Sequence, residues 1–179
     1  MAKALFIGRF QPFHKGHLET IRYILSENDL VIIGVGSAQY SGTPENPWSG
    51  AERETMINVA LSEAAIPQNK YKIVLIPDIH DYSSWPGHVK SFCGDFDCAY
   101  SRNPLPTRLF KANKIIVKEQ PDFSIEAYNG ANIRCLMAKD DSSWEELVTP
   151  SIKTLLKGAL KPKEGLLLKE TTTWLPPTK

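Results

Sequence analysis

Short apolar runs separated by longer amphipathic stretches are the feature of this sequence that most restricts its fold. The runs at residues 5–8, 31–36 and 73–76 are rich in Val, Ile and Leu and are bounded by turn-forming residues, so each predicts a buried strand. Weaker strand signals follow at 96–100 and 115–117. Strands that are apolar throughout need covering on both faces, which is typical of the parallel sheet of a doubly wound α/β fold.

Helical periodicity lies between these strand candidates. Residues 17–25 and 51–61 carry apolar side chains at the spacing of one helix face. Ser49 and Glu52 stand three apart at the start of the second helix, which predicts a capping box. Strand, helix and strand therefore alternate as they do in right-handed parallel crossovers.

The last third of the chain predicts C-terminal helices. One begins after Asn129 and one at Thr149-Pro150, where a capping side chain precedes the helix and, in the second case, a proline fits the first helical position. A chain of 179 residues suits one domain. We expect residues 1–160 to form that domain and residues 161–179 to be its C-terminal tail.

Composition excludes several classes of protein. Twenty-one Lys and Arg against 20 Asp and Glu leave a net charge of +1, which is unlike a surface that coats nucleic acid. Residues 4–7 are too short an apolar run for a signal peptide, and no run approaches the roughly 20 residues of a membrane span. Cys93, Cys98 and Cys135 show no zinc-site spacing and predict reduced thiols. These observations predict a cytoplasmic protein with neither a nucleic-acid nor a membrane partner.

Residues 8–17, with the sequence GRFQPFHKGH, follow the first predicted strand and lead into the first predicted helix. In a doubly wound sheet, ligands bind at the carboxyl ends of the strands. A helix start at that edge offers unpaired N–H groups and a positive dipole end, which suit a phosphate. The segment has neither the GxxxxGK[ST] of a P-loop nor the GxGxxG of dinucleotide folds. It therefore predicts a phosphate site of another kind.

The side chains of this segment support the same prediction. His14 and His17 are three apart, so both can donate imidazole N–H groups from one side of the first turn. Gly16 removes a side chain where the backbone approaches an anion, and Arg9 and Lys15 add positive charge. A metal site would need a third ligand that the sequence does not place, so we favour phosphate over metal.

The ordered motifs resemble those of the archaeal-type nicotinamide-nucleotide adenylyltransferases, a family of the HxGH nucleotidylyltransferase superfamily. HxGH at 14–17 is typical of the superfamily, whereas the ordered set is typical of this family and covers about residues 4–157. After GRFQPFHKGH the matching segments are GSAQ at 36–39, ENPW at 45–48, ER at 52–53, DI at 78–79, YS at 100–101, NPL at 103–105, WE at 144–145 and LV at 147–148.

The resemblance implies a Rossmann-like nucleotidylyltransferase fold and an enzyme that makes NAD and pyrophosphate from ATP and nicotinamide mononucleotide. The mononucleotide phosphate would attack the ATP α-phosphorus in line, with Mg²⁺ bound to ATP. A phosphate monoester with a second pKa of roughly 6 is already a dianion at neutral pH, so no general base is required. Catalysis then depends on alignment and on charge neutralisation. The resemblance also implies a homo-oligomer.

Site residues follow from the same resemblance. It assigns His14, His17 and Arg134 to catalysis, with Arg134 matching the arginine of a second phosphate-binding helix start. The residues that it assigns to ATP and its phosphates are Gly8, Arg9, Phe10, Gln11, Lys15, Gly16, Asn129 and Gly130. Those that it assigns to the mononucleotide are Gly36, Ser37, Asn46, Asp78 and Trp85.

Three of these residues have simpler interpretations from chemistry alone. Trp85 either stacks on the pyridine ring of the mononucleotide or covers the sheet as a core residue. Asp78 either binds Mg²⁺ or a ribose, or caps the next turn. Arg134, without the resemblance, is interpreted as a solvated helix residue.

The chain departs from the family pattern at four positions. Gly42 stands where relatives often have His, Arg102 where they usually have Gly, Asn129 where they have Ser and Ala131 where they have Thr. Asn129 remains a good helix cap, whereas Ala131 lacks a hydroxyl donor for the triphosphate.

Two other functions remain open at this stage. One is another HxGH nucleotidylyltransferase that acts on pantetheine phosphate or on a sugar alcohol phosphate, against which GSAQ at 36–39 and Asn46-Pro47 argue. The other is a non-catalytic module that senses NAD, which the departures from the family pattern favour and the intact His14, His17 and Arg134 oppose.

Overall fold

A parallel sheet forms the centre of the molecule. The computed structural model describes residues 1–119, 121, 123 and 128–168. Across those residues the sheet has five strands in the order β3-β2-β1-β4-β5, and every neighbouring pair is parallel. The strands are β1 (Lys3–Gly8), β2 (Leu30–Val35), β3 (Tyr71–Leu75), β4 (Cys98–Tyr100) and β5 (Val117–Lys118). The predicted doubly wound α/β fold is confirmed.

Six α-helices connect or follow these strands in the described chain: α1 (Lys15–Glu27), α2 (Gly50–Glu63), α3 (Trp85–Cys93), α4 (Pro104–Ala112), α5 (Gly130–Ala138) and α6 (Pro150–Lys157). Short 3₁₀ turns lie at Gln68–Lys70 and Ser142–Leu147. The helices predicted at 17–25 and 51–61, after Asn129 and at Thr149-Pro150 are confirmed. Sequence analysis missed α3 and α4, because their starts, Trp-Pro-Gly and Pro-Leu-Pro, carry the residues of turns.

Helix caps agree with the sequence at two of three places. The Ser49 hydroxyl accepts the Glu52 N–H at 3.3 Å and the Glu52 carboxylate accepts the Ser49 N–H at 2.7 Å, which completes the predicted capping box. Asn129 caps α5 by accepting the Ala131 N–H at 2.9 Å. Thr149 occupies the N-cap position of α6, but its hydroxyl pairs with the Ser151 hydroxyl instead of a backbone N–H.

The two faces of the sheet carry separate cores. One face packs against α1, α2, α5 and α6, with Phe6, Ile33 and Met56 among its buried residues. The other face packs against α3 and α4. The chain passes from β3, at one edge of the sheet, to β4 on the far side of β1, so right-handed crossovers place α3 and α4 on the face opposite α1 and α2. The strand order consequently reverses between β1 and β4, and a crevice opens at that point of the carboxyl edge.

The structure also describes the three cysteines and the first residues of the predicted tail. Cys93, Cys98 and Cys135 are free and buried, and burial raises the pKa of the Cys93 thiol to about 11. None of the helices in the described part of the chain combines the length and the apolar character that a bilayer span requires. Residues 161–168 of the predicted tail contain no helix or strand, and its residues 169–179 lie outside the described residues.

Substitution of Met56 by Ala tests the core between the sheet and α2. Met56 is fully buried, so its removal leaves a cavity and is expected to lower the free energy of unfolding by roughly 2–5 kcal/mol. Ile116→Ala is the control, because that side chain is 64% exposed and its loss is expected to change stability by less than about 0.5 kcal/mol. Urea titration of both variants measures the difference, and equal effects would contradict the assigned core.

Candidate active site

Two adjoining cavities lie along the carboxyl edge of the sheet. The first, here called the α1 cavity, has a volume of about 450 Å³ and is lined by the starts of α1 and α5 and the loop after β4. The second, the α3 cavity, has a volume of about 580 Å³ and is lined by the loops after β1, β2 and β3 and the starts of α3 and α4. Both cavities are lined by Ile7, Gly8 and Asn103, so the two cavities meet at the end of β1.

His14 and His17 form a reciprocal cap at the start of α1. His14 is the N-cap residue, and its Nδ1 accepts the backbone N–H of His17 at 3.4 Å. The Nδ1 of His17 accepts the backbone N–H of His14 at 3.3 Å. The two rings stack with centroids 3.5 Å apart and an interplanar angle of 19°. The predicted phosphate-binding histidines are therefore also the capping box of their own helix.

This cap determines the protonation of both rings. A nitrogen that accepts an N–H bond carries no proton, so each neutral imidazole holds its hydrogen on Nε2. Burial lowers the pKa of His14 to about 3, and burial together with the charge of His14 lowers that of His17 well below its ordinary value. The start of α1 thus presents two neutral, directional N–H donors to the α1 cavity, which both residues line.

Aromatic residues hold the His17 ring in place. The ring lies 4.8 Å from Phe10 in an edge contact, 5.3 Å from Phe13 and 6.1 Å from Phe6. Phe10 is 1% exposed, and a Cβ at Gly8 would lie 3.0 Å from its ring. Phe10 and Gly8, both predicted to serve ATP, accordingly shape the wall behind the imidazole.

The start of α5 lies directly against the loop that precedes α1. A Cβ at Gly130 would come within 2.7 Å of the Gln11 carbonyl oxygen. A Cβ at Gly16 would come within 2.7 Å of the Tyr128 Cβ. Both predicted glycines are therefore needed for the approach of one helix start to the other. Asn129 and Gly130 line the same α1 cavity as the two histidines.

Arg134 fastens this contact. Its Nη1 donates to the Gln11 carbonyl at 2.6 Å and its Nε to the Pro44 carbonyl at 3.0 Å. Burial and the charge of Arg9 lower its pKa to about 10, so the guanidinium is a cation at neutral pH. The interpretation of Arg134 as a solvated helix residue is wrong, because it joins α5 to two loops of the crevice. Among the described residues two of its five N–H groups are engaged, and Arg134 is not in the wall of either cavity, so its contact with a ligand stays a prediction.

Other predicted phosphate residues have different placements. The Arg9 side chain reaches solvent and lines the α3 cavity; loss of water around it lowers its pKa, while Glu45 and Asp78 act in the opposite direction. Lys15 donates its ammonium to the Glu146 carbonyl at 2.7 Å, near the C-terminal helices. Lys15 is not in the wall of either cavity, so its role at the phosphate stays a prediction.

Gln11 acts through the loop after β2. Its side-chain amide forms two bonds with the Trp48 backbone, accepting the N–H at 3.1 Å and donating to the carbonyl at 2.7 Å. The Trp48 indole in turn donates to the Leu160 carbonyl at 2.8 Å. The loop that covers the crevice is thereby attached on one side to the start of α1 and on the other to the segment after α6.

The α3 cavity is bounded by two loops that are bonded to each other. The Ser37 hydroxyl donates to the Asp78 carboxylate at 2.6 Å. The Gln39 side chain accepts the Asp78 N–H at 2.9 Å and donates to its carbonyl at 3.0 Å. Tyr40 and His80 pair through hydroxyl and Nε2 at 2.6 Å. Asp78 thus holds the loop after β2, and its interpretation as a turn cap receives no support among these contacts.

Trp85 and Asn46 both line the α3 cavity. Trp85 begins α3 and packs on Phe110 with centroids 5.1 Å apart, which supports its core interpretation, and its stacking on a ligand stays a prediction. Asn46 lines the cavity as well, and its Oδ1 is buried with no hydrogen-bond partner among the described residues. Gly36 lies between these groups and the end of β1, with its N–H bonded to the Gly8 carbonyl at 2.9 Å.

Sequence reasoning gave no role to Arg53, although the ER segment contained it. Arg53 is fully buried and donates to the Arg9, Gly36, Ser37 and Ser49 carbonyls, and the first three of these residues line the α3 cavity. A signal existed, because Arg53 precedes Met56, Ile57 and Ala60 on the buried face of α2.

Arg102 stands at a position where the chain departs from the family pattern. It lines the α1 cavity, and its guanidinium donates to the Pro121 carbonyl.

The reciprocal histidine cap makes stability depend on pH. The pKa of His14 is about 3 in the folded protein and about 6.5 in the unfolded chain, so the folded state binds fewer protons between these values. Stability is therefore complete above pH 6.5 and is lost as the pH falls, by up to about 1.4 kcal/mol per pH unit for each such histidine. His14→Asn keeps an N-cap but does not titrate, and should show a shallower loss between pH 6.5 and 5.

Urea titrations of wild type and His14→Asn across that range measure the two slopes. The loss of stability should be smaller in His14→Asn by the contribution of one histidine, because His17 remains in both proteins. Equal slopes would show that His14 is charged in the folded protein and would contradict the assigned tautomer.

The sequence matches one family model and many curated relatives. Residues 5–142 match the cytidylyltransferase-like family. A nicotinamide-nucleotide adenylyltransferase of Ignicoccus hospitalis is 43% identical over 155 residues, which are 87% of this chain and 91% of that protein. The nicotinamide-nucleotide adenylyltransferase of Thermococcus sibiricus is 41% identical, over 87% of this chain and 83% of the relative.

Solved structures share the fold at lower identity. A bifunctional NMN adenylyltransferase/ADP ribose pyrophosphatase from Francisella tularensis aligns with a TM-score of 0.65 and 20% identity over 89% of this chain, which spans 51% of that protein. The same protein in complex with AMP and a manganese ion gives a TM-score of 0.62 at 22% identity. These solved structures share the fold of this chain. The sequence match to the curated relatives extends over most of its length. This chain therefore belongs to the cytidylyltransferase-like family and, within it, to the nicotinamide-nucleotide adenylyltransferases.

Proposed function

We propose that this protein joins ATP and nicotinamide mononucleotide to form NAD and pyrophosphate. The observation that carries this proposal is that two helix starts from distant parts of the chain face one cavity, which adjoins a second cavity walled by Trp85. One cavity suits a polyanion and the other a planar heterocycle. The activity named for the relatives needs both, side by side.

The α1 cavity would hold the triphosphate of ATP. His14 and His17 donate from Nε2, and the first N–H groups of α5 follow Asn129 and Gly130 at the same wall. Arg134 supplies positive charge from behind the Gln11 loop. Neutral donors and a fixed cation stabilise charge that grows on the leaving pyrophosphate, because they are already oriented before the reaction.

The α3 cavity would hold the mononucleotide. Trp85 is available to stack on the pyridine ring, and Asp78 and Ser37 lie where a ribose can bond to them. The Asn46 Oδ1, for which the described part of the chain provides no hydrogen-bond partner, is an acceptor for a ligand N–H or O–H. Arg9 lines the same cavity and suits the mononucleotide phosphate.

The two phosphates would meet beside Gly8, which both cavities share. An oxygen of the mononucleotide phosphate forms a bond to the ATP α-phosphorus, and the bond from that phosphorus to the bridging oxygen of pyrophosphate breaks. The attacking phosphate is largely dianionic at neutral pH, so no proton has to be removed. The contribution of the protein is alignment and electrostatic stabilisation.

The divalent ion would arrive as part of the ATP substrate, and we propose Mg²⁺. In the described residues, three or more His, Cys, Asp or Glu side chains do not gather into a metal site, and the nearby Asp78 carboxylate is bonded to Ser37. Phosphate oxygens are the ligands that Mg²⁺ prefers when a protein offers few carboxylates. The ion and the triphosphate therefore bind as one unit.

Incubation of the purified protein with ATP, Mg²⁺ and nicotinamide mononucleotide tests the activity through NAD and pyrophosphate formation. Pantetheine phosphate and a sugar alcohol phosphate serve as alternative acceptors, and turnover with one of them alone would contradict the proposal. NAD binding without either the forward or the reverse reaction would instead support a sensing module.

Loss of the His17 donor tests the assignment of the α1 cavity. His17→Ala is expected to lower kcat by roughly 10²–10³-fold, the effect of removing one preorganised donor. Since His17 also caps α1, His17→Gln is the control that keeps a capping acceptor at the same position. Turnover numbers at equal folded fraction measure the effect, and wild-type turnover in His17→Ala would exclude the imidazole from catalysis.

Removal of the Trp85 indole tests the assignment of the α3 cavity. Trp85→Ala is expected to raise KM for the mononucleotide far more than KM for ATP, because a stacking surface is lost in one cavity only. Phe110→Leu is the control, since it changes the core contact of Trp85 without removing the indole. Equal changes in the two KM values would contradict the stacking role.

A further inference from the structure

The Arg53 guanidinium donates hydrogen bonds to backbone carbonyls of both loops that follow β1 and β2. It is 0% exposed. Its Nη1 donates to the Arg9 carbonyl at 2.9 Å and to the Gly36 carbonyl at 2.8 Å, and its Nη2 donates to the Ser37 carbonyl at 3.1 Å. Its Nε donates to the Ser49 carbonyl at 3.1 Å, at the N-cap of its own helix.

These four carbonyls come from three separate segments. One segment follows β1 and carries Arg9, one follows β2 and carries Ser37, and one begins α2. The planar guanidinium has five N–H groups in fixed directions and can therefore bond to carbonyls on several sides at once. An ammonium group has three donors at one point and cannot span the same set.

Packing of α2 alone does not account for a charged residue here. Burial is the main cause that lowers the pKa of Arg53 to about 10, and the nearby Arg9 charge lowers it further. Asp78 and Glu52 act in the opposite direction, but all four hydrogen bonds of the guanidinium described above go to carbonyl oxygens. An apolar side chain would pack as Met56 does and avoid the cost of burying a charge. It would leave these four carbonyls without the hydrogen bonds that the guanidinium donates.

The residues that Arg53 holds line the α3 cavity, which would take the mononucleotide in the proposed reaction. Arg9 lines the α3 cavity next to the shared Gly8. Ser37 bonds to Asp78 and has a backbone φ of +51°, a conformation that L residues rarely adopt without support. If the two loops moved independently, Arg9 and the Ser37–Asp78 pair would lose their relative position.

We propose that Arg53 is a positioning residue of adenylyl transfer, which fixes the loops after β1 and β2 so that Arg9 and Ser37 face the mononucleotide in register. The proposal rests on the proposed function. Arg53 touches neither substrate and acts through the backbone of residues that do. Displacements of about 1 Å at a reacting centre are enough to lower turnover by about 10²-fold.

Arg53→Lys is the first test, with Arg22→Lys and Met56→Ala as controls. Arg22 is an exposed arginine of α1 that pairs with Glu19, so its replacement matches the chemical change. Met56→Ala lowers stability from the same buried face of α2. At equal folded fraction, Arg53→Lys is expected to lower kcat by about 10²-fold and to raise KM for the mononucleotide, with little change in ATP binding measured by calorimetry. Both controls should retain wild-type kcat.

Two further measurements separate positioning from stability. Arg53→Met removes the buried charge together with the hydrogen bonds to the carbonyls. It therefore tests the loss of these bonds without the cost of burying an ammonium group. The variant is expected to fold and to lower kcat as much as Arg53→Lys does. Arg9→Ala combined with Arg53→Lys is expected to lose less activity than the product of the two single losses, because Arg53 acts partly through Arg9.

Turnover in Arg53→Lys or Arg53→Met equal to that of Met56→Ala at the same folded fraction would overturn the proposal. Multiplicative losses in the double variant would overturn it as well. Failure of the proposed function is distinguishable from both, because the wild-type protein would then form no NAD.

Discussion

The site depends on a close backbone contact between two helix starts. Gly130 of α5 lies against the Gln11 carbonyl, and Arg134 donates to the same carbonyl from 123 residues further along the chain. The N-terminal ends of α1 and α5 both carry partial positive charge, so bringing them together is unfavourable until an anion lies between them. Packing of α5 on the sheet, with Ile133 fully buried, holds the two ends in place. An anion that binds there gains from both dipoles at once.

The distribution of charge in the crevice follows from this repulsion. Burial is the main cause that lowers the pKa values of Arg53 and Arg134, and the charge of Arg9 lowers each of them further, so a guanidinium already acts on both. Two imidazolium ions beside them would add to the repulsion and to the cost of burial. The reciprocal cap avoids this, because it keeps His14 and His17 neutral while leaving each with a donor on Nε2.

Residues that shape the site are tied into the fold more firmly than the groups left for ligand. Gln11 is bonded to Trp48, Trp48 to Leu160, and Ser37 to Asp78. In contrast, the Asn46 Oδ1 has no partner in the described part of the chain, and Trp85 shares its surface between the core and the α3 cavity. A rigid frame with a few open polar groups is the arrangement that orients a substrate without reorganisation during reaction.

Local sequence signals predicted most of the frame. Apolar runs gave the three long strands, and side-chain oxygens at Ser49 and Asn129 marked two helix starts, because capping depends on residues within one turn. The same reasoning missed α3 and α4, where prolines at helix starts resemble turns. It identified His14 and His17 as a pair but not as a cap, since histidine caps are uncommon and the reciprocal bonds depend on ring orientation.

The sequence by itself determined the parallel sheet, its crevice and the types of residue at the carboxyl edge, because periodicity and strand burial are set by neighbouring positions along the chain. Only the tertiary structure decided where the long cationic side chains go. Lys15 donates to the Glu146 carbonyl and Arg134 donates to the Gln11 carbonyl. Arg53 donates to carbonyls of two loops. A flexible cation bonds to whichever carbonyls the packing of distant elements brings within reach, and no local pattern specifies that set.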